Sequence, residues 1–318
     1  MINVVFCVHD SQNDYIKHTV ATIISVLENT REDVLVHIIH DDTVTLAKQK
    51  NIIELVANYN QKVQFHRVNE QYFCDLVKSI WHHKKPPIGT LYRLKIADLI
   101  KAEKAVYLDS DIIVNMDIKD LWSYDIQNYL IAAVKDLNVT RYKWSNQYHF
   151  RKMKVSPDLY FNAGVIVFNL GKIRKELNLF EQAKSFFLNF ASDARFFDQD
   201  ALNKLLQDNT LFLPRKYNYI PVGLRPEEAI DSVHAIIHFA GPKPWNFVCS
   251  EFDNLYWKYL AKSSWADTTD KLLELQKYLK VDLGYALSYG KVGSRIGLLL
   301  GILHLFKSIA HRLGKVVG

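Results

Sequence analysis

Lys104-Ala105-Val106-Tyr107-Leu108-Asp109-Ser110-Asp111-Ile112-Ile113-Val114 is a short apolar run that stops on two acids one residue apart and resumes at once as a second apolar run. A run of this length, bounded in this way, reads as a buried strand. A strand that stops on Asp-x-Asp aims two carboxylates out of the carboxyl edge of a sheet, where open α/β folds bind their ligands. In extended or turn geometry residues i and i+2 lie on the same side, so Asp109 and Asp111 can reach one cation. Hard oxygen ligands suit Mg²⁺ or Mn²⁺, ions that commonly bridge to the phosphates of a nucleotide. Asp-Ser-Asp is also an ordinary turn composition. The apolar flanks favour the binding reading, because a plain surface turn does not need burial on both sides.

Upstream, residues 2–8, 34–40 and 63–68 read as strands, and 15–28 and 44–59 as helices. This alternation predicts a doubly wound α/β sheet. No G-x-G-x-x-G follows the first strand, which argues against a Rossmann dinucleotide site. Pro86-Pro87 breaks the chain before a helix over 90–100 that carries Arg93. Downstream, 129–134 reads as a strand ending on Lys135-Asp136, and 138–158 as an aperiodic, substrate-side loop region or lid. Residues 160–170 form an apolar strand interrupted by Asn162-Ala163-Gly164, a small-residue break that often marks close approach of a ligand or another backbone. Helices follow over 171–190 and 198–207, the second opening on Asp198-Gln199-Asp200, and a last strand over 235–239 runs into His238-Phe239-Ala240-Gly241-Pro242-Lys243-Pro244-Trp245.

The 318 residues suffice for a sizeable core, and 49% hydrophobic with 23% charged is ordinary for a folded soluble chain. Three cysteines without metal-type spacing argue for a reducing compartment over a disulfide framework. The amino-terminal residues lack the pattern of a signal peptide, and no apolar run is long enough to span a bilayer. Five of the six net positive charges sit in residues 284–318, which contain no Asp or Glu. The body is therefore nearly neutral and is not a nucleic-acid binder by charge.

Together Asp109-Ser110-Asp111, Asn162-Ala163-Gly164, Asp198-Gln199-Asp200 and His238-x-x-Gly241-Pro-Lys243-Pro-Trp245 resemble, in order and spacing over about residues 1–262, glycosyltransferase family 8. That family holds bacterial lipopolysaccharide α-galactosyl- and α-glucosyltransferases and the glycogenins. The resemblance implies a GT-A fold, a Rossmann-like mixed central sheet with helices on both faces, over 1–262, followed by a helical tail over 263–318. It implies a UDP-hexose donor, Mn²⁺ (or Mg²⁺), and transfer with retention. By the same resemblance Asp109, Asp111 and His238 are the metal ligands. Lone histidines are usually structural, but the Gly-Pro-Lys after His238 lifts it above the other eleven. Gly241 allows close backbone approach and Lys243 can neutralise phosphates. Arg93, Ser110, Asp136, Asn162, Ala163, Asp198 and Gln199 are implied around the donor; for Arg93 a surface ion pair is the plain alternative, and for the Asp198 trio a helix cap.

The segment Cys7-Val8-His9-Asp10-Ser11-Gln12-Asn13-Asp14-Tyr15 is a few residues longer than in the family, and aligning Tyr15 with the uracil-stacking tyrosine keeps the following helix in register. Cys7, Val8, Asp10 and Tyr15 are the residues so implied at the nucleotide. Many members carry one more residue between Gly241 and Lys243. Gln is a poor nucleophile, so front-face attack with Gln199 as positioning group is expected, with a covalent intermediate on Asp198 as its rival. In the tail, Ile296, Leu299, Leu300, Leu303, Phe306 and Leu313 fall on one helical face and His304, Lys307, His311 and Lys315 on another. That pattern suits an anionic membrane surface, or packing on the catalytic domain or a partner chain. The sequence therefore predicts a cytoplasmic, peripherally membrane-bound hexosyltransferase acting on a lipooligosaccharide, lipopolysaccharide or other surface glycan. Its competitors are a glycogenin-like self-glucosylating initiator and a non-catalytic sugar-nucleotide-binding scaffold.

Overall fold

The computed structural model describes residues 1–12, 15–80, 86–137, 139, 143–221, 234–241, 243–246, 250 and 252–266. The amphipathic tail that motivated the membrane reading lies outside them. The chain divides into a unit Met1–Gly241 and a unit Pro242–Gly318, so the 262/263 boundary expected from the sequence falls inside the second unit. Among the described residues of the second unit, helix Asp253–Leu260 buries Tyr256, Trp257, Tyr259 and Leu260, and Trp245 stacks at 5.2 Å on Tyr256. No helix among the described residues is long and apolar enough to cross a membrane.

The first unit is built on a seven-stranded sheet. Its elements are β1 (Ile2–Val8), β2 (Val34–His40), β3 (Lys62–Arg67), β4 (Lys104–Leu108), β6 (Ile131–Lys135), β7 (Phe161–Asn169) and β8 (Thr210–Phe212), in the order β3-β2-β1-β4-β7-β6-β8. All seven residues of β2 are buried, as expected of a strand covered on both faces of a parallel sheet. By contrast β3 alternates polar and half-buried positions, Lys62, Gln64, His66 and Arg67 keeping the sheet's outer edge unattractive to another strand. The strands β1 to β4 are mutually parallel. The chain leaves β1 to one side for β2 and β3, then returns to its other side with β4, so a topological switch point lies between β1 and β4. Open sheets bind ligands beyond the carboxyl ends of strands at such a point.

The second half of the sheet is mixed. β7 runs antiparallel to β4, with Leu108 opposite Val165, and antiparallel to β6, with Lys135 opposite Phe161. The start of β7 therefore lies at the same edge as the ends of β4 and β6. A separate two-stranded ribbon pairs β5 (Ile112–Asn115) with β9 (Ala235–His238), placing His238 opposite Ile112. Helix α1 (Tyr15–Asn29) is buried over Ile16 and His18 through Leu27, and it meets the ribbon through Thr22 and Ser25, whose hydroxyls bond the Ile112 carbonyl and the Val114 amide.

Several expected elements need correction. The interruption expected in 160–170 is one of pairing rather than of the strand itself: Phe161–Asn169 is one strand, β7, but β4 pairs with it only from Val165 onward, and β6 pairs with Phe161 and then Ile166–Phe168 across a register shift. What approaches Gly164 is the His238 imidazole, since a Cβ there would stand 2.3 Å from Cε1 and 2.7 Å from Nδ1. The helix expected over 90–100 is three short turns, α4 (Ile88–Leu91), a 3₁₀ turn Tyr92–Lys95 and α5 (Ile96–Leu99). The tighter middle turn turns Tyr92, Arg93 and Leu94 inward together, all three being buried. The lid region contains a helix, Lys143–Met153, whose residues carry no apolar stripe and so give no periodic signal. A helix over Glu70–Ile80 and the short strand β8 were not foreseen, and residues 171–190 hold two helices, Leu170–Glu176 and Leu179–Phe190.

Candidate active site

The ends of β4, β6 and β9, the starts of β5 and β7, and one helix start converge at the switch point. Asp109 follows β4 directly, and its amide donates to the Gly164 carbonyl at 2.9 Å, locking it to β7. Asp109 Oδ1 accepts from Tyr107 Oη at 2.6 Å and from Arg93 Nη2 at 2.7 Å, which leaves Oδ2 facing His238. The Phe239 amide donates to the Asp111 carbonyl at 2.9 Å, so the ribbon pins His238 beside Asp111. His238 Nε2 lies 3.4 Å from Asp111 Oδ1 and 3.9 Å from Asp109 Oδ2. One ligand atom from each of the three residues lies within 4.8 Å of the others. Two carboxylate oxygens and one imidazole nitrogen, with Asp109 Oδ1 and His238 Nδ1 already hydrogen-bonded elsewhere, fit a divalent ion of the Mn²⁺ or Mg²⁺ kind.

Arg93 is the buried cation of this edge, not a surface ion pair: the residue is 4% exposed. Its Nη1 donates to the Ala163 carbonyl at 2.8 Å, its Nε lies 3.1 Å from Asp198 Oδ2, and its guanidinium sits 4.5 Å from the centre of the Tyr107 ring. Burial alone would push the guanidinium toward neutrality, but Asp109, Tyr107 and Asp198 outweigh it and hold the charge. Burial pushes the Asp198 carboxyl up, partly offset by Arg93. Asp198 opens helix α6 (Asp198–Leu206), and the cap position belongs to Phe197, at φ +49° and ψ −113°. That non-glycine left-handed residue is a strained point beside the site. The helix-cap reading of the trio thus moves to Asp200, whose Oδ2 takes the Phe196 amide at 2.7 Å. Asp200 Oδ1 takes the Tyr160 hydroxyl at 2.6 Å, and burial pushes its carboxyl up to about 6.

Gln199, Asp136 and Asn162 form a single network. Gln199 Oε1 accepts from the Ala163 amide at 2.9 Å while its Nε2 donates to Asp136 Oδ2 at 3.1 Å. Asn162 Nδ2 donates to the same Asp136 oxygen at 3.1 Å. One turn further along α6, Asn203 holds the Phe161 amide and carbonyl at 2.8 and 2.9 Å, clamping the helix start to β7.

The remaining residues implied at the donor are placed differently. The Ser110 hydroxyl turns to Thr19 Oγ1 of α1 at 2.8 Å, away from the acids. Asp10 caps α1, accepting from the Tyr15 and Ile16 amides at 2.6 and 3.2 Å, and its other oxygen lies 2.6 Å from Lys48 Nζ. Cys7 and Val8 end β1; the Cys7 thiol is buried, and burial pushes its pKa up. Tyr15 is 41% exposed on the first turn of α1, while burial and then the charges of Asp111 and Asp109 push its hydroxyl's pKa up. Gly241 adopts φ +106°, which favours glycine, and Lys243 belongs to the second unit. Sequence reading missed Tyr107, Tyr160 and Asn218, and took Asp200 only as part of a helix cap. The first could have been found as the inward residue two before Asp109; Asn218, in an aperiodic Tyr-Asn-Tyr, gave no signal.

The model for glycosyl transferase family 8 matches residues 4–249. The chain belongs to glycosyltransferase family 8. It is 28% identical over 287 or 288 residues to relatives that include the general stress protein A of Bacillus subtilis, where 83% of this chain and 95% of that protein are covered. Against the lipopolysaccharide 1,2-glucosyltransferase of Escherichia coli K12 it is 26% identical, covering 84% of this chain and 82% of the relative. Among solved structures, the galactosyltransferase LgtC in complex with donor and acceptor sugar analogues superposes with a TM-score of 0.71 at 20% identity, over 86% of this chain and 100% of LgtC. The bifunctional glycosyltransferase WbbM superposes with a TM-score of 0.67 at 23% identity, over 83% of this chain and 50% of WbbM. The fold of this family 8 chain is accordingly GT-A.

Proposed function

We propose that this family 8 chain moves a hexosyl group, galactose or glucose, from UDP-hexose to a hydroxyl of a lipooligosaccharide, lipopolysaccharide or related surface glycan, with retention of configuration. The observation that carries the reading is the meeting of Asp109, Asp111 and His238 at the switch point with the Gln199–Asp136–Asn162 network beside them. Asp109, Asp111 and His238 would hold a divalent ion, which would supply positive charge for the departing diphosphate. Asp136 and Asn162 hold the donor sugar's hydroxyls, and Tyr15 stacks on the base.

In the reaction the bond from the anomeric carbon to the diphosphate oxygen breaks, and a bond to the acceptor oxygen forms on the same face. The acceptor's proton leaves on the departing diphosphate. Asp198 is spoken for by Arg93 and buried, whereas Gln199 is half-buried with its amide oriented by Ala163 and Asp136. This favours front-face attack, with Gln199 positioned against developing positive charge, over a covalent intermediate on Asp198. The names of the E. coli glucosyltransferase and of LgtC support a hexose donor and a glycan acceptor. The basic amphipathic pattern of residues 292–315 supports a cytoplasmic protein resting on an anionic membrane that carries the acceptor.

Release of UDP from a panel of UDP-sugars, with Mn²⁺ and with chelator, tests the reading. Metal-dependent turnover of UDP-galactose or UDP-glucose by the native chain, and not by Asp111→Ala, is the expected result. Binding of UDP with metal but no turnover of any donor, acceptor glycans included, would favour the scaffold.

A further inference from the structure

His238 does not stand alone against the acids. Its Nδ1 lies 2.8 Å from Asn218 Oδ1, and Asn218 Nδ2 lies 2.9 Å from Asn162 Oδ1. Asn162 Oδ1 also accepts the Gly164 amide at 2.9 Å, and Asn162 Nδ2 reaches Asp136 Oδ2 at 3.1 Å. His238, Asn218, Asn162 and Asp136 are all buried. The backbone places Asn218 here: the Tyr219 amide donates to the Ile236 carbonyl and the His238 amide to the Tyr219 carbonyl, each at 2.8 Å, so the 3₁₀ turn Arg215–Asn218 runs into β9's neighbour position.

The polarity of this chain follows from its ends. An ionised carboxylate only accepts, so Asp136 must be met by the Asn162 NH₂ group. A backbone amide only donates, so Gly164 independently requires the Asn162 oxygen on the other side. That oxygen then demands a donor from Asn218, whose own carbonyl oxygen is left for His238. The imidazole must consequently carry its proton on Nδ1, and Nε2, the nitrogen facing Asp109 and Asp111, is left with a bare lone pair. We infer that Asn218 is a positioning residue that fixes His238 as an Nε2 ligand, and that Asp136 sets the polarity of both His238 and Gln199 through opposite branches of one network. Asp136 Oδ2 takes the Gln199 NH₂ as well, which turns the Gln199 oxygen to Ala163 by the same logic. The metal-facing and sugar-facing halves of the site thus share one buried carboxylate. A metal-bound histidine whose distal N–H is held in this way is a better-oriented and more basic ligand, and loss of such a partner typically weakens binding about 10–100-fold.

The inference rests on the metal reading under Proposed function, and its test separates the two. Long-range ¹H–¹⁵N spectra of the metal-free full chain, with His238 assigned by His238→Gln, report the tautomer directly. The Nδ1–H form is expected; the Nε2–H form overturns the inference whether or not any variant folds. Free Mn²⁺, followed by electron paramagnetic resonance, is then titrated with the native chain, Asn218→Ala and Asp111→Ala. Asn218→Ala is expected to lose roughly 10–100-fold in Mn²⁺ affinity while its circular dichroism is kept, and its His238 to populate both tautomers. Unchanged affinity and tautomer in a folded Asn218→Ala overturn the inference. If instead Asp111→Ala binds Mn²⁺ as the native chain does, the metal reading fails, and with it the ligand role given to His238.

Discussion

Two clusters of one histidine with two carboxylates sit at the carboxyl edge of the sheet, and they differ in who holds the imidazole. At the ends of β1 and β2, His9, Asp41 and Glu70 gather as closely as Asp109, Asp111 and His238 do. There His9 Nδ1 points straight at Asp41 and forms a short ion pair, while Asp41 also accepts from Tyr92 Oη at 2.5 Å and from the Thr43 amide and hydroxyl. Every lone pair of that carboxylate is used by the protein. At the other cluster the histidine's Nδ1 is taken by Asn218, and Nε2 stands 3.4 and 3.9 Å from its acids, with room left between them. Ligand types alone do not make a metal site; a third party must turn a bare nitrogen toward the acids. The first cluster is an ion pair that ties β1 to β2, and the second is the one proposed to hold a cation.

The largest expected effect separates the clusters outright. Asp111→Ala should abolish the rise in melting temperature on adding Mn²⁺ and lower turnover by roughly 10²–10³-fold, the scale for loss of a charge-stabilising element in an active site. Asp41→Asn should keep the Mn²⁺-induced rise. Loss of that rise in Asp41→Asn would mean that the first cluster, too, holds the ion.

Asp41→Asn should instead show its effect in stability, about 3 kcal/mol, because it leaves a buried hydrogen-bonded partner set without its charge. Its pH dependence has a defined sign. Burial raises the Asp41 pKa, but the hydrogen bonds from His9, Thr43 and Tyr92 outweigh it and hold the carboxyl below the usual range. That contribution is present above the unfolded value near 3.8 and fades as pH falls through the lowered one. The hydrogen bond to Asp41 raises the His9 pKa, so its contribution is full below the unfolded 6.5 and fades as pH rises through the raised value. The stability gap between the native chain and Asp41→Asn, measured by urea unfolding, should therefore be widest between about pH 4 and 6.5. A gap that grows steadily above pH 7 would refute the ion pair.

Gly164→Ala perturbs the second cluster without replacing a ligand. The added Cβ would meet the His238 ring at 2.3 Å, so the imidazole must move or the strand must shift, at about 1–3 kcal/mol. Weaker Mn²⁺ binding with UDP affinity in the absence of metal preserved is the expected pattern. Unaltered metal affinity would show that His238 does not contribute to holding the ion.

What could be read from the sequence follows the same division. The strands Ile2–Val8 and Val34–His40 were legible to the residue because buried parallel strands are unbroken apolar runs bounded by polar loops. Asp109, Asp111 and His238, which the structure gathers, were singled out by motif order through the resemblance to a family. Arg93 was legible as a site residue, but its burial was not, since nothing local announces that Asp109, Asp198 and the Ala163 carbonyl surround it. Asn218 was invisible: its role exists only because Tyr219 bridges to β9 fifteen or more residues away in sequence and because Asp136 fixes the direction of a network. Helix Lys143–Met153 escaped because it has no apolar stripe to set a period.

The smallest expected effect tests the placement of Ser110, the middle residue of the motif. Family pattern alone groups it with its neighbours at the donor, but its hydroxyl bonds Thr19 and its carbonyl takes the Thr22 hydroxyl at 3.1 Å, both on α1. A residue alternating between two acids that face one way must itself face the other, and here the other side is a helix. Ser110→Ala should therefore cost no more than about 1 kcal/mol in stability, the net worth of one ordinary hydrogen bond, and leave Mn²⁺ affinity and the Michaelis constant for the donor within two-fold, roughly the scatter expected for a change that removes no ligand contact. A selective rise in that Michaelis constant at unchanged stability would put the hydroxyl on the donor side and shift the divide between the site and α1 by one residue.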